Sequence, residues 1–125
     1  MGRIKSELDV QGRKCWTLFD SGARYSYILR NATAGLDVQH LPVPRATALG
    51  GRSHQIKDVC LVFARVDGHD VEFQANVVDE VGHDEEGRSI EIVFGAVAMQ
   101  LWSIKLDLRN ERLDLSHITS DFVEF

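Results

Sequence analysis

The residues with the clearest capacity for chemistry lie in one short stretch, where an apolar run leads straight into an acidic residue and a turn. Residues 15–23 read Cys-Trp-Thr-Leu-Phe-Asp-Ser-Gly-Ala. The apolar run predicts a strand, so that Asp20 would lie at the rim of a core, where the surroundings set the protonation of a carboxylate. Ser21 can hydrogen-bond backbone or a neighbouring carboxylate, and Gly22 permits a turn that other residues cannot make. The tripeptide is also typical of an ordinary strand-ending turn, so both interpretations stay open at this point.

Length and composition limit the classes of protein to which Asp20 can belong. The chain has 125 residues, 44% of them hydrophobic, which predicts a single domain over residues 1–125 with one real core. A formal net charge of −5 argues against nucleic acid and against an anionic membrane as partners. No stretch approaches the roughly 20 apolar residues of a membrane span, and the polar start is not a secretory signal. We therefore expect a cytoplasmic protein.

Metal, cofactor and nucleophile chemistry have weak support. The two cysteines, Cys15 and Cys60, lie in apolar stretches, which predicts buried and reduced thiols. The five histidines are scattered with no two at ligand spacing, so we expect neither a metal nor a cofactor. A solvated loop explains the run His83-Asp84-Glu85-Glu86 better than a loose divalent-ion site does. A serine nucleophile lacks the Gly-x-Ser-x-Gly signature.

The elements that would position Asp20 are short strands between regular turn signals, a pattern that predicts an all-β protein. The predicted strands are residues 4–10, 14–19, 25–29, 59–66, 71–78 and 89–95. Asp67-Gly68 between two β-rich runs is a strong hairpin signal, and Gly12 marks another hairpin. The segment Leu41-Pro42-Val43-Pro44 excludes helix and predicts an extended connector.

Two further segments complete the predicted scaffold. Residues 46–56 are typical of a hairpin around Gly50-Gly51, which would serve either as a mobile lid or as a plain surface hairpin. A short helix is predicted at residues 96–101, directly after Gly95. Alternation in residues 102–108 and a turn into 112–115 predict a C-terminal hairpin, and the tail 116–125 stays unassigned.

In their order and spacing, these segments resemble one family, the retropepsins, which are the retroviral-type aspartic proteases with their cellular and bacterial relatives. The resemblance rests on the strand into Asp20-Ser21-Gly22-Ala23, on the Gly-Gly hairpin, and on Val93-Phe94-Gly95 before a short helix. It covers residues 5–115, nearly the whole chain. It implies a retropepsin-like acid-protease β-barrel with a flap hairpin and one short C-terminal helix. The C-terminal hairpin is more similar to the cellular and bacterial members than to the shortest viral ones.

The resemblance assigns roles to the four residues of the acidic turn. Asp20 corresponds to the catalytic aspartate, and Ser21 corresponds to the residue whose hydroxyl links the two active-site turns. Gly22 and Ala23 correspond to the rest of the turn. The next residue, Arg24, departs from the family, which more usually has a small polar residue there.

The resemblance also assigns two supporting groups. The flap positions are Leu49, Gly50 and Gly51. The residues that pack beneath the active-site loop as structural support are Val93, Phe94 and Gly95. Ala96 departs from the family, because many members carry there a charged residue that braces the dimer.

The implied activity is that of an aspartic endopeptidase acting on a peptide or protein substrate. Such hydrolysis requires two carboxylates that share a proton, so that one activates water and the other donates to the carbonyl oxygen. This chain contains a single Asp-Ser-Gly, so an active enzyme would be a homodimer with one Asp20 from each subunit.

Two other interpretations stay open. Arg24 and Ala96 favour slightly a catalytically weak or inactive retropepsin-fold module that binds peptides or mediates dimerisation. The chain could also be a domain excised from a longer protein, in which case the apolar end Phe122-Val123-Glu124-Phe125 is compatible with a cleavage site or an interface strand.

Overall fold

The structure, a computed structural model, describes residues 2–118 and consists mostly of β-strands. Within this range the strands are β1 (Arg3–Val10), β2 (Arg13–Asp20), β3 (Ser26–Leu29), β4 (Asp37–Leu49), β5 (Arg52–Val66), β6 (His69–Val78), β7 (Ile92–Phe94), β8 (Lys105–Asp107) and β9 (Arg112–Asp114). One α-helix, α1 (Ala96–Trp102), and a 3-10 turn at Arg30–Thr33 accompany them. The all-β class with one short helix is therefore confirmed. The apolar end Phe122–Phe125 lies outside the described residues.

Seven of the strands form one sheet in the order β1-β2-β7-β3-β6-β5-β4. β1 also pairs with β5 through Asp9 and Arg65, and β8 and β9 form a separate antiparallel pair. Two neighbouring pairs are parallel, β2 with β7 and β3 with β6, whereas β3 and β7 are antiparallel. Because of this order, the strand that ends at Asp20 lies beside β7, although more than 70 residues separate them in the chain.

The predicted hairpins are present, but several predicted boundaries are wrong. β4 and β5 are longer than expected, and Leu41–Pro44 belongs to β4 instead of forming a connector. The prolines are tolerated because β4 is the edge strand and its register with β5 shifts between His40 and Arg45. β7 covers only Ile92–Phe94, and α1 includes Trp102, so that β8 begins three residues later than expected.

The interior contains two hydrophobic clusters. The larger one holds the three phenylalanines Phe19, Phe73 and Phe94, with ring centroids 4.9 Å apart for Phe19 and Phe94 and 4.7 Å for Phe73 and Phe94. The smaller one joins β2, β3, β5, β6 and β7 and consists of Leu18, Tyr27, Ile56, Val78, Ile90 and Val93. Alternation along β2 divides its side chains between them, because Leu18 and Phe19 point to opposite faces.

Both cysteines are buried and form no disulfide, as the sequence predicts. Burial, followed by the nearby charge of Glu91, raises the pKa of Cys15 to about 11. Burial also raises the pKa of Cys60 above its ordinary value. Neither thiol is therefore available as a thiolate near neutral pH. Among residues 2–118, no helix is long and apolar enough to cross a membrane.

A buried carboxylate ties β5 to its neighbours. Asp58 Oδ2 accepts a hydrogen bond from Arg30 Nη1 at 2.9 Å, and Asp58 Oδ1 contacts His40 Nδ1. Arg30 Nε also donates to Asp79 Oδ1 at 2.8 Å, so one guanidinium joins two carboxylates. Hydrogen bonds from Arg30 and then from His40 hold the pKa of Asp58 below its ordinary value.

We expect Asp58 to contribute to the loss of stability in acid. Its pKa is lower in the folded than in the unfolded protein, so its contribution is complete above the unfolded value of about 4 and is lost as the pH falls through the folded value. Denaturant unfolding as a function of pH should show a flatter acid dependence for Asp58→Asn, and also for Arg30→Gln, than for the wild type. Equal acid dependence in all three proteins would contradict this assignment.

Candidate active site

Asp20 is the last residue of β2, and the turn that follows fixes its carboxylate. The Gly22 amide donates to Asp20 Oδ1 at 2.8 Å, and the Ala23 amide donates to the Asp20 carbonyl oxygen at 3.2 Å. The Asp20 side chain is 15% exposed, and its Oδ2 lies 3.6 Å from Arg3 Nε across the β1–β2 pair. The carboxylate is thus oriented by a local backbone donor yet accessible at the surface, which is what an acid–base group requires.

Ser21 attaches the segment before β1 to the same turn. The Gly2 amide donates to Ser21 Oγ at 2.8 Å, and Ser21 Oγ lies 3.2 Å from the Gly2 carbonyl oxygen. The Ser21 amide donates to that oxygen at 3.0 Å. In the single chain described here, the hydroxyl therefore contacts Gly2 of its own chain. Sequence reasoning did not assign Gly2 to the site, because nothing local links two residues 19 positions apart.

The segment around Gly95 braces the other side of the turn. The Ala96 amide donates to the Ala23 carbonyl oxygen at 2.7 Å, and the Val97 amide donates to the Arg24 carbonyl oxygen at 3.0 Å. A Cβ atom on Gly95 would lie 2.2 Å from the Tyr25 carbonyl oxygen, so only glycine fits at this position. The first residues of α1 and the turn after Asp20 are therefore held together through backbone groups.

The predicted supporting residues lie directly behind the turn. Val93 and Phe94 of β7 are buried and pair with Leu18 and Phe19 of β2, the strand that carries Asp20. Sequence reasoning missed Ser26, whose buried Oγ accepts a hydrogen bond from the Gly95 amide at 3.0 Å. A serine within an apolar run is the only local signal that this hydroxyl has a buried partner.

The predicted flap is the tip of the β4–β5 hairpin. Gly50 and Gly51 have φ values of +60° and +77°, the left-handed geometry of the tight turns that favour glycine. Leu49 is partly buried and packs against the smaller hydrophobic cluster, as does Ala23 of the acidic turn. Tyr27 Oη and Thr47 Oγ1 lie 2.9 Å apart, so a hydrogen bond joins β3 to the β4 arm. The arm of the hairpin and the acidic turn thus share one patch of core.

The acidic run that sequence analysis considered for a metal is occupied by protein contacts. Asp84 Oδ2 accepts a hydrogen bond from Trp16 Nε1 at 2.9 Å, and Asp84 Oδ1 accepts from the amides of Glu86 and Arg88. Glu85 pairs with Lys5. Across residues 2–118, no three His, Cys, Asp or Glu side chains are grouped as metal ligands.

The strand order, the β4–β5 hairpin and the acidic turn braced by the glycine before α1 are together those of a retropepsin-like fold. Comparison with solved structures agrees: the chain is similar to the retroviral protease-like domain of Ddi1 from Leishmania major, with a TM-score of 0.66. The two sequences are 14% identical, and the similarity covers 94% of this chain and 91% of that one. No protein-family model matches the chain. No curated protein matches it by sequence.

The Gly95 contact predicts a specific sensitivity of the site. Gly95→Ala would place a methyl group against backbone atoms that cannot rotate away, and we expect it to destabilise the protein by about 3 kcal/mol. Denaturant unfolding measures this loss. Ala98→Gly at a buried position of α1 is a useful comparison, since it should cost only about 1 kcal/mol of helix propensity. A Gly95→Ala protein as stable as the wild type would contradict the close approach.

Proposed function

We propose that this protein is an aspartic endopeptidase whose active form is a homodimer, with one Asp20 from each subunit at a shared site. The observation that carries the proposal is the Asp20 carboxylate, held by the Gly22 amide at the end of a buried strand in a retropepsin-like fold. The similarity to a protease-like domain at 14% identity supports this fold, and the chemistry is inferred from the turn.

The proposed mechanism uses the two carboxylates as one acid–base unit. One Asp20 removes a proton from a bound water, which attacks the peptide carbonyl carbon, while the other Asp20 donates a proton to the carbonyl oxygen. The Gly22 amide keeps Oδ1 oriented, so the bond to this amide does not need to form during the reaction. The protons belong to the pair of carboxylates rather than to either one.

A surface beside Ser21 supports the proposed dimer. A cavity of about 720 Å³ adjoins the acidic turn, and its lining includes Gly2, Ser21, Ala96, Met99, Leu106 and Leu108. Leu108 is 52% exposed there. An apolar surface next to the catalytic turn is what a second copy would cover when it brings its own Asp20 to the two-fold axis.

The substrate would bind in extended form beneath the two flaps. Backbone groups near the flap tips would pair with the peptide as an added strand does, and alternate side chains would enter pockets on either side. The glycines at the tip allow the hairpin to open for entry and to close for the reaction.

A second candidate is an inactive peptide-binding or dimerisation module with the same fold. The contact between Arg3 Nε and Asp20 Oδ2 at 3.6 Å favours it, because it engages the carboxylate with a residue of its own chain. Arg24 and Ala96, which depart from the family pattern, point the same way.

Cleavage of a random peptide library from acidic to neutral pH tests the proposal, with Asp20→Asn as the matched variant. The amide has the shape of the carboxylate but cannot act as a base, so we expect cleavage to fall by roughly 10³-fold or more while fold and dimer persist. Equal cleavage by both proteins would overturn the catalytic role of Asp20. Absence of cleavage by a dimeric wild type would favour the inactive module.

The shared site has its own signature. Specific activity should fall when the enzyme is diluted below the dimer dissociation constant, because each monomer holds half of the site. Mixing the wild type with an excess of Asp20→Asn should also remove activity by forming mixed dimers. Activity that is independent of concentration would exclude a site shared between subunits.

The flap is tested by two valine variants at positive-φ glycines. Gly50→Val forces a branched residue into a left-handed turn, at a cost of about 1–2 kcal/mol, and we expect kcat/KM to fall by about tenfold if closure depends on this tip. Gly68→Val imposes the same strain in the β5–β6 turn and should leave the kinetics unchanged. Equal effects of the two variants would contradict a role for the β4–β5 tip as a lid.

A further inference from the structure

A second cavity, distinct from the one beside Ser21, opens between α1, β6 and the residues that follow the acidic turn. Its volume is about 390 Å³, within the roughly 300–1,000 Å³ range of ligand pockets. Its lining includes Tyr25, Arg45, Phe73, Asn76, Val97 and Leu101. The amide of its lining residue Val97 donates to the Arg24 carbonyl oxygen at 3.0 Å, so the cavity adjoins the residues that follow the acidic turn.

Large apolar side chains line much of this cavity, beside the polar residues Ser26, Arg45, Gln74 and Asn76. Tyr25, Val97 and Leu101 are 51%, 50% and 60% exposed, and the last two occupy positions one turn apart on the same face of α1. Buried Phe73 contributes to the lining from β6. Large apolar side chains that gather around an open cavity indicate a surface that binds an apolar group.

The two cations of this region have no carboxylate partner in the described chain. Seven of the ten arginines form a salt bridge within residues 2–118, and the three that do not are Arg24, Arg45 and Arg109. Arg45 lines the cavity, and Arg24 lies with its guanidinium 5.4 Å from the centroid of the Tyr25 ring. In a protein with a net charge of −5, Arg45 in the cavity wall and Arg24 beside the wall residue Tyr25 form a local group of arginines without a salt bridge in residues 2–118.

The geometry prepares Arg45 in particular for an anion. Its Nη2 donates to Oδ1 of the buried Asn76 at 3.0 Å, which anchors one corner of the guanidinium without neutralising its charge. The remaining N–H groups form the fork that recognises a carboxylate with two parallel hydrogen bonds. The Arg24 guanidinium is held by a cation–π contact near Tyr25, which is itself a residue of the cavity wall.

We propose that this cavity is a specificity site for the peptide substrate, and that it selects a large apolar side chain with an acidic residue close to it. The apolar side chain contacts Tyr25, Val97 and Leu101, and the carboxylate pairs with Arg45 or Arg24. The substrate class is therefore a peptide with an acidic–apolar sequence beside the scissile bond. This inference rests on the proposed peptidase function, but binding tests it separately from cleavage.

The test measures peptide binding to the Asp20→Asn protein by fluorescence anisotropy. The probes are three labelled octapeptide pools with a fixed central Phe flanked by Glu, by Gln or by Lys, and random residues elsewhere. We expect the Glu pool to bind about tenfold more tightly than the Gln pool, with the Lys pool weakest and with the preference falling as salt is added. Equal binding of the three pools, or binding of none, would overturn the inference.

Arginine variants then locate the preference. The variants are Arg45→Gln and Arg24→Gln, each combined with Asp20→Asn. The variant that lacks the arginine that pairs with the glutamate should bind the Glu pool no more tightly than the Gln pool, a loss of about tenfold in the ratio of the two Kd values. Arg109→Gln is the matched control, since Arg109 also lacks a salt bridge in residues 2–118 but lies in the β8–β9 turn. A preference for the Glu pool that persists in both Arg45→Gln and Arg24→Gln would overturn the inference. An equal loss of this preference in Arg109→Gln would overturn it as well.

The apolar half has its own variant, and cleavage separates the two proposals. Leu101→Ser should weaken binding of the Glu pool by about tenfold, whereas an unchanged Kd would contradict the apolar wall. Cleavage by the wild type without any preference for Glu next to Phe would contradict the proposed specificity site but would support the proposed peptidase activity. Preferential binding of the Glu pool without any cleavage by the wild type would contradict the proposed peptidase activity and support the binding site.

Discussion

The close backbone approach at Gly95 is the constraint on which the candidate site depends. A side chain at this position would collide with the Tyr25 carbonyl oxygen, so glycine allows the start of α1 to lie against the turn that follows Asp20. Amides of α1 then donate to the Ala23 and Arg24 carbonyl oxygens, groups that would otherwise need water or a protein donor. The Ser26 hydroxyl completes the contact by accepting from the Gly95 amide. These backbone contacts hold the turn after Asp20 in place, and none of them involves the Asp20 carboxylate.

The division of the interior into two clusters explains how the β4–β5 hairpin is connected to this turn. Leu18 and Phe19 send their side chains to opposite faces of β2, and each face builds its own cluster. The arm of the β4–β5 hairpin packs on the smaller cluster through Leu49 and Ile56, while its tip consists of two glycines with open space around them. The arm is therefore anchored in the core next to the acidic turn, whereas a Cβ on either glycine of the tip would meet no atom within 4 Å.

Charge is distributed in a way that distinguishes scaffold from site. Seven of the ten arginines form salt bridges within residues 2–118; Arg65, for example, joins β5 to β6 through Asp70, and Arg13 joins β2 to Glu91 just before β7. Exposed pairs of this kind contribute little stability, typically below about 1 kcal/mol, but each places a carboxylate next to the guanidinium. Arg45 and Arg24 differ, because their only described contacts are with an amide and an aromatic ring. Two arginines without a salt bridge in residues 2–118 therefore lie at the cavity that contains Tyr25 or next to it, in a molecule whose overall charge is negative.

The sequence by itself determined the strands, the tight turns and the identity of the acidic turn. Alternation of apolar and polar residues and the Asp67-Gly68 and Gly50-Gly51 turns act over a few residues, so these elements could be predicted from local chemistry. The prolines of β4 misled the prediction, because their exclusion from strands applies to central strands and the sequence does not tell which strand lies at an edge. The short length of β7 could not be predicted from the sequence either, since it depends on where β2 and β3 pair with this strand.

Only the tertiary structure decided which groups surround Asp20. The contact of Ser21 with Gly2, the hydroxyl of Ser26 beneath Gly95 and the cation of Arg3 beside the carboxylate all join residues that are 17 or more positions apart. The same holds for the cavity between α1 and β6, whose walls come from four separate segments of the chain. Such contacts follow from strand order and packing, which depend on the whole chain at once, whereas turn and strand preferences depend on neighbouring residues.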